Sequence, residues 1–434
     1  MNRLTLSGGR LVCPGNGLDR VDSLHVADGH IVAIGAAPDG FQADHTLDAN
    51  GLVVLPGLVD LAARLREPGE EHKASIASEV LAAAAGGITS LCAMPDTSPV
   101  TDTTAVVELV TRRARQAHRS RVIPIAALTQ KLAGEQLTEM AAMKAAGCVA
   151  VSDGGRPVMN TLVLRRAMEY AATQDLTVML TPVDPYLSEG FHMHEGWVAT
   201  RLGIAGIPVA AETAALARYL ALAEETGAQV HFQRISSGRG AAMVKEARER
   251  GLPVTADVAM HHLFLTEMDV SGYDSQCNVQ PPLRSHADRE ALRAAVADGS
   301  LQAICSDHQP HEPDAKQVPF VSAEPGISGL DSLLPLGLRL VEEGLLELST
   351  LLRRLSLEPA GILGLPGGHL QPGAPADLCL LDPEQIWRLD TDTMLSRGKN
   401  SPFLGWEFTG RVRQTLLQGR VIHGQAGTPE PVAG

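Results

Sequence analysis

Aromatic side chains are scarce: seven Phe, four Tyr and three Trp make up 3% of the 434 residues. The core must therefore be built from Ala, Val, Leu and Ile. Basic residues are also few, with 36 Lys and Arg against 50 Asp and Glu, a formal charge of -14. That balance disfavours a nucleic-acid or anionic-membrane partner, because phosphate binding needs clustered cations. The six cysteines (Cys13, Cys92, Cys148, Cys277, Cys305 and Cys379) lie far apart and form no C-x-x-C pair. They read as buried thiols in a reducing compartment, not as a disulfide or zinc framework. Met1–Cys13 lacks the continuous apolar core of a secretory signal. The longest apolar-looking stretch, Gly203–Ala223, is interrupted by Glu212 and Arg218, so it does not read as a membrane span. The expectation is a soluble cytoplasmic protein. No P-loop and no G-x-S-x-G is present, and no G-x-G-x-x-G follows a strand-like run.

What is present is a rhythm. From Val53 to about Gly364, short β-branched runs alternate with longer helix-like segments. The strand-like runs are Val53–Val59, Ile88–Met94, Val122–Leu128, Cys148–Ser152, Thr177–Thr181, Gln229–Ile235, Pro253–Val258 and Gln302–Ser306. Most are predominantly apolar, as parallel strands covered on both faces require. The periodic stretches between them include Ala74–Ala85, Thr104–Ala117, Glu135–Ala145, Thr161–Thr173, Ala210–Thr226, Arg239–Arg250 and Ala287–Ala297, and Leu330–Glu343 follows the eighth run. Eight such units predict an α/β chain folded as a (β/α)8 TIM barrel. The two ends carry hairpin signals instead, such as Asp28-Gly29 and Asn50-Gly51. They predict a small β-sandwich built from both termini, with residues 1–54 and 368–434 flanking a barrel over 55–367.

In a barrel, reactive groups sit just past the C-terminal ends of the strands. The polar residues there are Asp60, Arg64 and Arg66, then Asp96, Asp153, Thr181 with Asp184, then His231, Gln233 and Arg234, and finally Asp307, His308 and His311. Several segments carry a resemblance. Leu55-Pro56-Gly57-Leu58-Val59-Asp60 followed by Leu65-Arg66-Glu67-Pro68-Gly69, Ala93-Met94-Pro95-Asp96-Thr97, Val279-Gln280-Pro281-Pro282-Leu283-Arg284, Ser306-Asp307-His308-Gln309-Pro310-His311 and the tail Lys399–Trp406 resemble the dihydroorotases of the amidohydrolase superfamily, in the same order along nearly the whole chain.

The departures from that pattern are informative. The resemblance implies a metal-binding D-x-H-x-H-x-R at the end of strand one. Here the segment runs from Asp60 to Arg66, with Ala62 and Arg64 at the two imidazole positions. The family's histidines at the ends of strands five and six correspond to Thr181 and Arg234. Its S-D-D-G is Ser152-Asp153-Gly154-Gly155. Asp153 and Asp307 are the metal-site residues that remain, so no catalytic residue is expected beyond a vestigial Asp307, and no metal or other cofactor. Of the residues implied to hold substrate, Arg66 is kept, while Asp96 stands for an Asn and could capture Arg66, and Gln280 changes the polar position of N-P-P-L-R.

Magnitudes give these losses their meaning. Zinc lowers the pKa of its bound water from 15.7 to about 7 and needs three or more ligands. A general base working without it faces a deficit of roughly eight or nine pK units, on the order of 12 kcal/mol. Two guanidinium groups in the ligand positions also repel a cation, by roughly 4 kcal/mol per unit charge at about 4 Å and an effective dielectric near 20. Arg64 and Arg234 are expected to replace the metals' charge and pair with Asp153 and Asp307.

The remaining histidines have plainer readings beside the chemical ones. His192 and His194 have H-x-H ligand spacing but fall in a loop, where packing or surface roles are commoner. His261 and His262 are expected to point to opposite sides, one of them buried. His231 reads as a satisfied core residue. The arginines around Arg112, Arg113 and Arg115, with Arg119 and Arg121, read as a solvated helix face.

Three functions follow. The first is a non-catalytic dihydroorotase-like subunit that scaffolds the aspartate carbamoyltransferase catalytic chain in pyrimidine biosynthesis, a partner and a hetero-dodecamer that the resemblance implies. The second is an active metal-dependent cyclic amidohydrolase with a rearranged zinc site of Asp153, His231 and Asp307. The third is a binding module whose arginine-lined mouth takes an anion.

Overall fold

The computed structural model describes residues 3–424; Met1, Asn2 and the stretch 425–434, which the expected terminal domain includes, lie outside the described residues. Eight parallel strands run around the barrel: Leu58–Ala63, Ile88–Ala93, Arg121–Pro124 continued by Ala126–Ala127, Ala150–Ser152, Thr177–Leu180, Val230–Phe232, Val254–Ala259 and Ala303–Cys305. Successive strands pair in parallel, and a bridge between Ala63 and His308 joins the end of the eighth to the first. The barrel expected from the alternating rhythm is present. Its strands are almost wholly buried, which explains why they read as apolar runs without alternation.

The helices begin where the sequence supplies oxygen acceptors for the free N–H groups of a first turn. Ser75 caps Ile76–Ala85, Asn160 caps Thr161–Thr173, Ser237 caps Gly238–Glu249, and Ser285 with Asp288 forms a capping box on His286–Asp298. Glu135–Ala145 is helical only over Met140–Ala145. Its first residues form an irregular crossing in which Gly134 N–H donates to Thr129 Oγ1. Two helical segments went unread in the sequence: Trp197–Leu202, and the run from Leu348 to Ile362.

Both termini build one β-rich domain around its own core of Leu6, Leu11, Leu24, Ile31, Val54, Leu378 and Leu416. The expected strand Val53–Val59 is two strands serving two domains. Val53–Pro56 pairs with Leu378–Leu381 of the C-terminal part, and the barrel begins only at Leu58, not at residue 55. Gly57 separates them at a close approach: a Cβ there would lie 2.3 Å from the Thr89 side chain.

The C-terminal segment also returns to the barrel. Phe403 is buried in the barrel core and meets Phe264 and Trp406 edge to face. Asn400 Oδ1 accepts from His311 N–H and Ser328 Oγ, and its Nδ2 donates to the carbonyls of Gln309 and Gly326. The tail motif therefore clamps the loop that follows strand eight. No helix among the described residues is long and apolar enough to cross a membrane.

Candidate functional site: an arginine-filled barrel mouth

The strand ends bring most of the expected site residues together. Three of them, Arg66 (φ 64°), Arg234 (φ 58°) and Asp307 (φ 43°), take left-handed backbone conformations, which are unfavourable for residues with a Cβ and persist only where their surroundings hold them. At Arg234 the restraint is visible, because its N–H donates to Asp257 Oδ1 at 2.6 Å.

Asp307 is the centre of the arrangement and only 1% exposed. Arg234 Nη1 donates to its Oδ1 at 3.0 Å, Arg64 Nη1 stands 3.6 Å from the same oxygen, and Gln309 Nε2 lies 3.2 Å from both oxygens. Arg234 Nη2 also donates to Thr181 Oγ1 at 2.8 Å. Burial works against the Arg234 charge, but Asp307, Cys305 and Asp257 together outweigh it and raise the guanidinium's pKa. The expected pairing of Arg64 and Arg234 with a carboxylate is thus present at Asp307.

Asp153 departs from that expectation. It forms no ion pair among the described residues; Gly155 N–H and Thr181 N–H donate to it instead. Burial pushes its carboxyl up to about 6 despite these donors and the more distant Arg234. Asp96 also differs. Burial disfavours its charge, but Arg64, whose Nε donates to it at 2.5 Å, holds its pKa below the usual range. Asp96 therefore captures Arg64, not Arg66. The Arg66 guanidinium goes to Glu70, the Pro310 carbonyl and the His311 ring. Gln280 Nε2 donates to the Phe191 carbonyl, a loop contact. Ala62 is buried in an apolar cluster with Leu61, Cys92 and Met94.

The residues present do not fit zinc. Among the described residues, no three His, Cys, Asp or Glu side chains are grouped to hold a metal ion. His231 is fully buried between Thr255 Oγ1 and Asp257 Oδ2, each at 2.9 Å, so it does not join Asp153 and Asp307. His194 receives Arg284 Nη1, so the H-x-H spacing makes no ligand pair, and His308 and His311 turn apart, to Glu79 and to Arg66. His261 and His262 are both buried, their rings 4.6 Å apart in a tight turn, contrary to the expectation of opposite sides. Burial, with help from Arg234, pushes His261 down to about 3. The arginine cluster disperses: Arg113 pairs with Glu67, Arg119 caps the Ile422 carbonyl and Arg121 pairs with Asp377.

Three groups escaped the sequence reading. Arg284 is 3% exposed and ties the loop after strand seven to Ile207 and His194. Gln309 completes the shell of Asp307. Glu79, fully buried, gathers His308, Ser396 and the Arg397 N–H. Arg284 and Gln309 lie inside the motifs that carry the resemblance, a signal that could have pointed to them, whereas Glu79 sits on a helix outside any of those motifs. A cavity of about 670 Å³ opens over this mouth, lined by Arg64, Arg156, Arg234 and Arg284 among others.

Comparisons with known proteins agree with this frame. The dihydro-orotase-like family model matches residues 51–239, and an amidohydrolase family model matches residues 321–423. The chain is 53% identical to a dihydroorotase-like protein of Pseudomonas aeruginosa over 97% of its length and 99% of that protein's, and 52% identical to one of Pseudomonas putida over the same shares. A protein named dihydroorotase from Geobacter sp. is 45% identical over 98% of this chain and all of that one. Among solved structures, an L-hydantoinase (dihydropyrimidinase) from Arthrobacter aurescens superposes with a TM-score of 0.88 at 24% identity, covering 99% of this chain and 98% of that one, which shows the shared fold. The barrel, the terminal β-rich domain and full-length similarity at this level place the chain in the dihydroorotase-like family of the amidohydrolases.

Proposed function

We propose that this chain is a non-catalytic, cytoplasmic dihydroorotase-like subunit that scaffolds the aspartate carbamoyltransferase catalytic chain, in a hetero-dodecamer serving pyrimidine biosynthesis. The observation that carries the reading is the occupation of the metal positions. Asp307, the carboxylate left to act as a base, is sealed between Arg234 and Arg64. The same two cations oppose a divalent ion at that carboxylate. Arg66, the residue implied to grip a substrate carboxylate, is already committed to Glu70 and His311. The frame around this mouth is nonetheless fully built, down to the Asn400 clamp, as expected if shape is retained while chemistry is lost.

The alternative is an active cyclic amidohydrolase with a rearranged zinc site, and the name dihydroorotase carried by relatives such as that of Geobacter sp. favours it. One set of measurements separates the two. The chain is expressed alone and with the carbamoyltransferase chain, and zinc content, dihydroorotate turnover and mass by light scattering are recorded. The subunit reading expects no zinc and no turnover in the isolated chain, and a defined mass shift on mixing. Stoichiometric zinc with turnover, or no mass shift, refutes it.

A further inference from the structure

We infer that the cavity over the barrel mouth is a binding site for a small oxyanion, a molecule bearing a carboxylate or phosphate, gripped by the guanidinium groups of Arg64, Arg156 and Arg284 with Arg234 behind them. The inference goes beyond the subunit role and does not depend on it.

The hydrogen-bonding capacity left facing the cavity is mostly donor capacity. Among the described residues the Arg64 side chain makes one hydrogen bond, through Nε, its Nη1 stands beside Asp307, and its Nη2 has no partner. Arg284 uses Nε on Ser236 Oγ and Nη1 on Ile207 O and His194, and Nη2 has no partner among the described residues. Arg234 Nε is buried and has no partner among the described residues. Arg156 is exposed and joins no ion pair among the described residues. Gly155 brings two of these groups to one place: a Cβ there would lie 3.6 Å from Arg234 Nη2 and 3.7 Å from Arg64 Nη2. Two guanidinium edges flanking one open point suit an oxyanion, whose several lone pairs can each accept a charge-assisted hydrogen bond.

The nearby carboxylates do not compete for these donors. Asp96 and Asp307 are the partners already described. Glu212 is buried and accepts four hydrogen bonds, from the N–H and Oγ of Ser236 and of Ser237, at the start of Gly238–Glu249. Asp153 is satisfied by backbone donors. Glu189 stands exposed on the cavity's edge, screened by solvent. The volume suits a small organic anion, since sites for such molecules typically span about 300–1,000 Å³. The position differs from that of a carboxylate held by Arg66, whose three nitrogens already donate to Pro310, Glu70 and His311.

The test is calorimetric titration of the full chain with inorganic phosphate and, separately, with succinate. Saturable binding of either at one site per chain, weakening as salt rises, is expected. Affinity should fall about tenfold in Arg64→Gln and in Arg156→Gln, the loss of one charge-assisted contact, and stay unchanged in Arg112→Gln on the outer helix face. Arg156 is exposed and its side chain supports no other residue among the described residues, so that variant reads the site without disturbing the fold. The better probe identifies the head group. Silence from both probes up to about 10 mM, or equal affinity in all variants, overturns the inference. A chain that assembles with the carbamoyltransferase yet takes up neither probe loses this site and keeps the subunit role. One that binds a probe and never assembles keeps the site and loses that role.

Discussion

Replacing Arg234 by Met isolates the interaction on which the mouth depends. Arg234 and Asp307 are 4% and 1% exposed and 3.0 Å apart, so the substitution leaves a carboxylate out of water without its main cation. Breaking a buried pair from one side costs about 3–5 kcal/mol. Here Arg64 and Gln309 remain beside Asp307, which favours the low end. Loss of the bond to Thr181 adds about 1 kcal/mol. The expected destabilisation for Arg234→Met is therefore about 4 kcal/mol. Asp307→Asn removes the charge that needs the cation, so the double variant should be less destabilised than the sum of the singles, by about 2 kcal/mol. Urea unfolding followed by far-ultraviolet circular dichroism reports on the barrel helices and supplies all four corners of the cycle. Additivity within about 0.5 kcal/mol would mean that Asp307 does not depend on Arg234, and the account of charge replacement would be wrong.

Three further outcomes are expected. Stability should fall between pH 6.5 and pH 5. His261 and His311 are held at about 3 by burial while an unfolded histidine binds its proton near 6.5, so each costs about 2 kcal/mol over that window, and His262 acts in the same direction. Asp60 and Asp153, raised to about 6 by burial, take up protons in the folded state first and return about 1.4 kcal/mol each. His261 and His311 outweigh the two carboxylates by about 1 kcal/mol and His262 adds to their side, so a rise in unfolding midpoint toward pH 5 would contradict this. Substituting His together at Ala62, Arg64, Thr181 and Arg234 should create zinc uptake measurable by atomic absorption, whereas Ala62→His alone should not, because Arg64 still opposes the ion. All six cysteines are free and buried, with Cys148, Cys277 and Cys379 pushed up to about 12, so Ellman's reagent should label the native chain negligibly and the unfolded chain at every cysteine.

The barrel was legible because its strands and helices are encoded locally. Apolar runs and helical periodicity survive as patterns in one dimension, and Thr104–Ala117, Thr161–Thr173 and Ala210–Thr226 match the reading residue for residue. The division at Gly57 was not legible, since Val53–Pro56 and Leu58–Ala63 carry the same apolar chemistry and only their partners differ. The His261–His262 pair was misread for a related reason: the alternation of a strand was applied to residues that sit in a turn. The partners of each charge were beyond reach as well. That Asp96 takes Arg64 and leaves Arg66 to Glu70 depends on distances of a few ångströms between strand ends far apart in the chain.

By itself, then, the order of residues determined the class of fold, and it placed Ala62, Arg64, Thr181 and Arg234 where the family resemblance implies imidazole, because composition at a position needs no geometry to be read. Only the folded chain decided which carboxylate the two arginines neutralise, that Asp153 rests on backbone N–H groups, and that the C-terminal tail locks the mouth through Asn400. Coulombic and hydrogen-bond energies depend on separation and burial, and those quantities exist only once the barrel has closed.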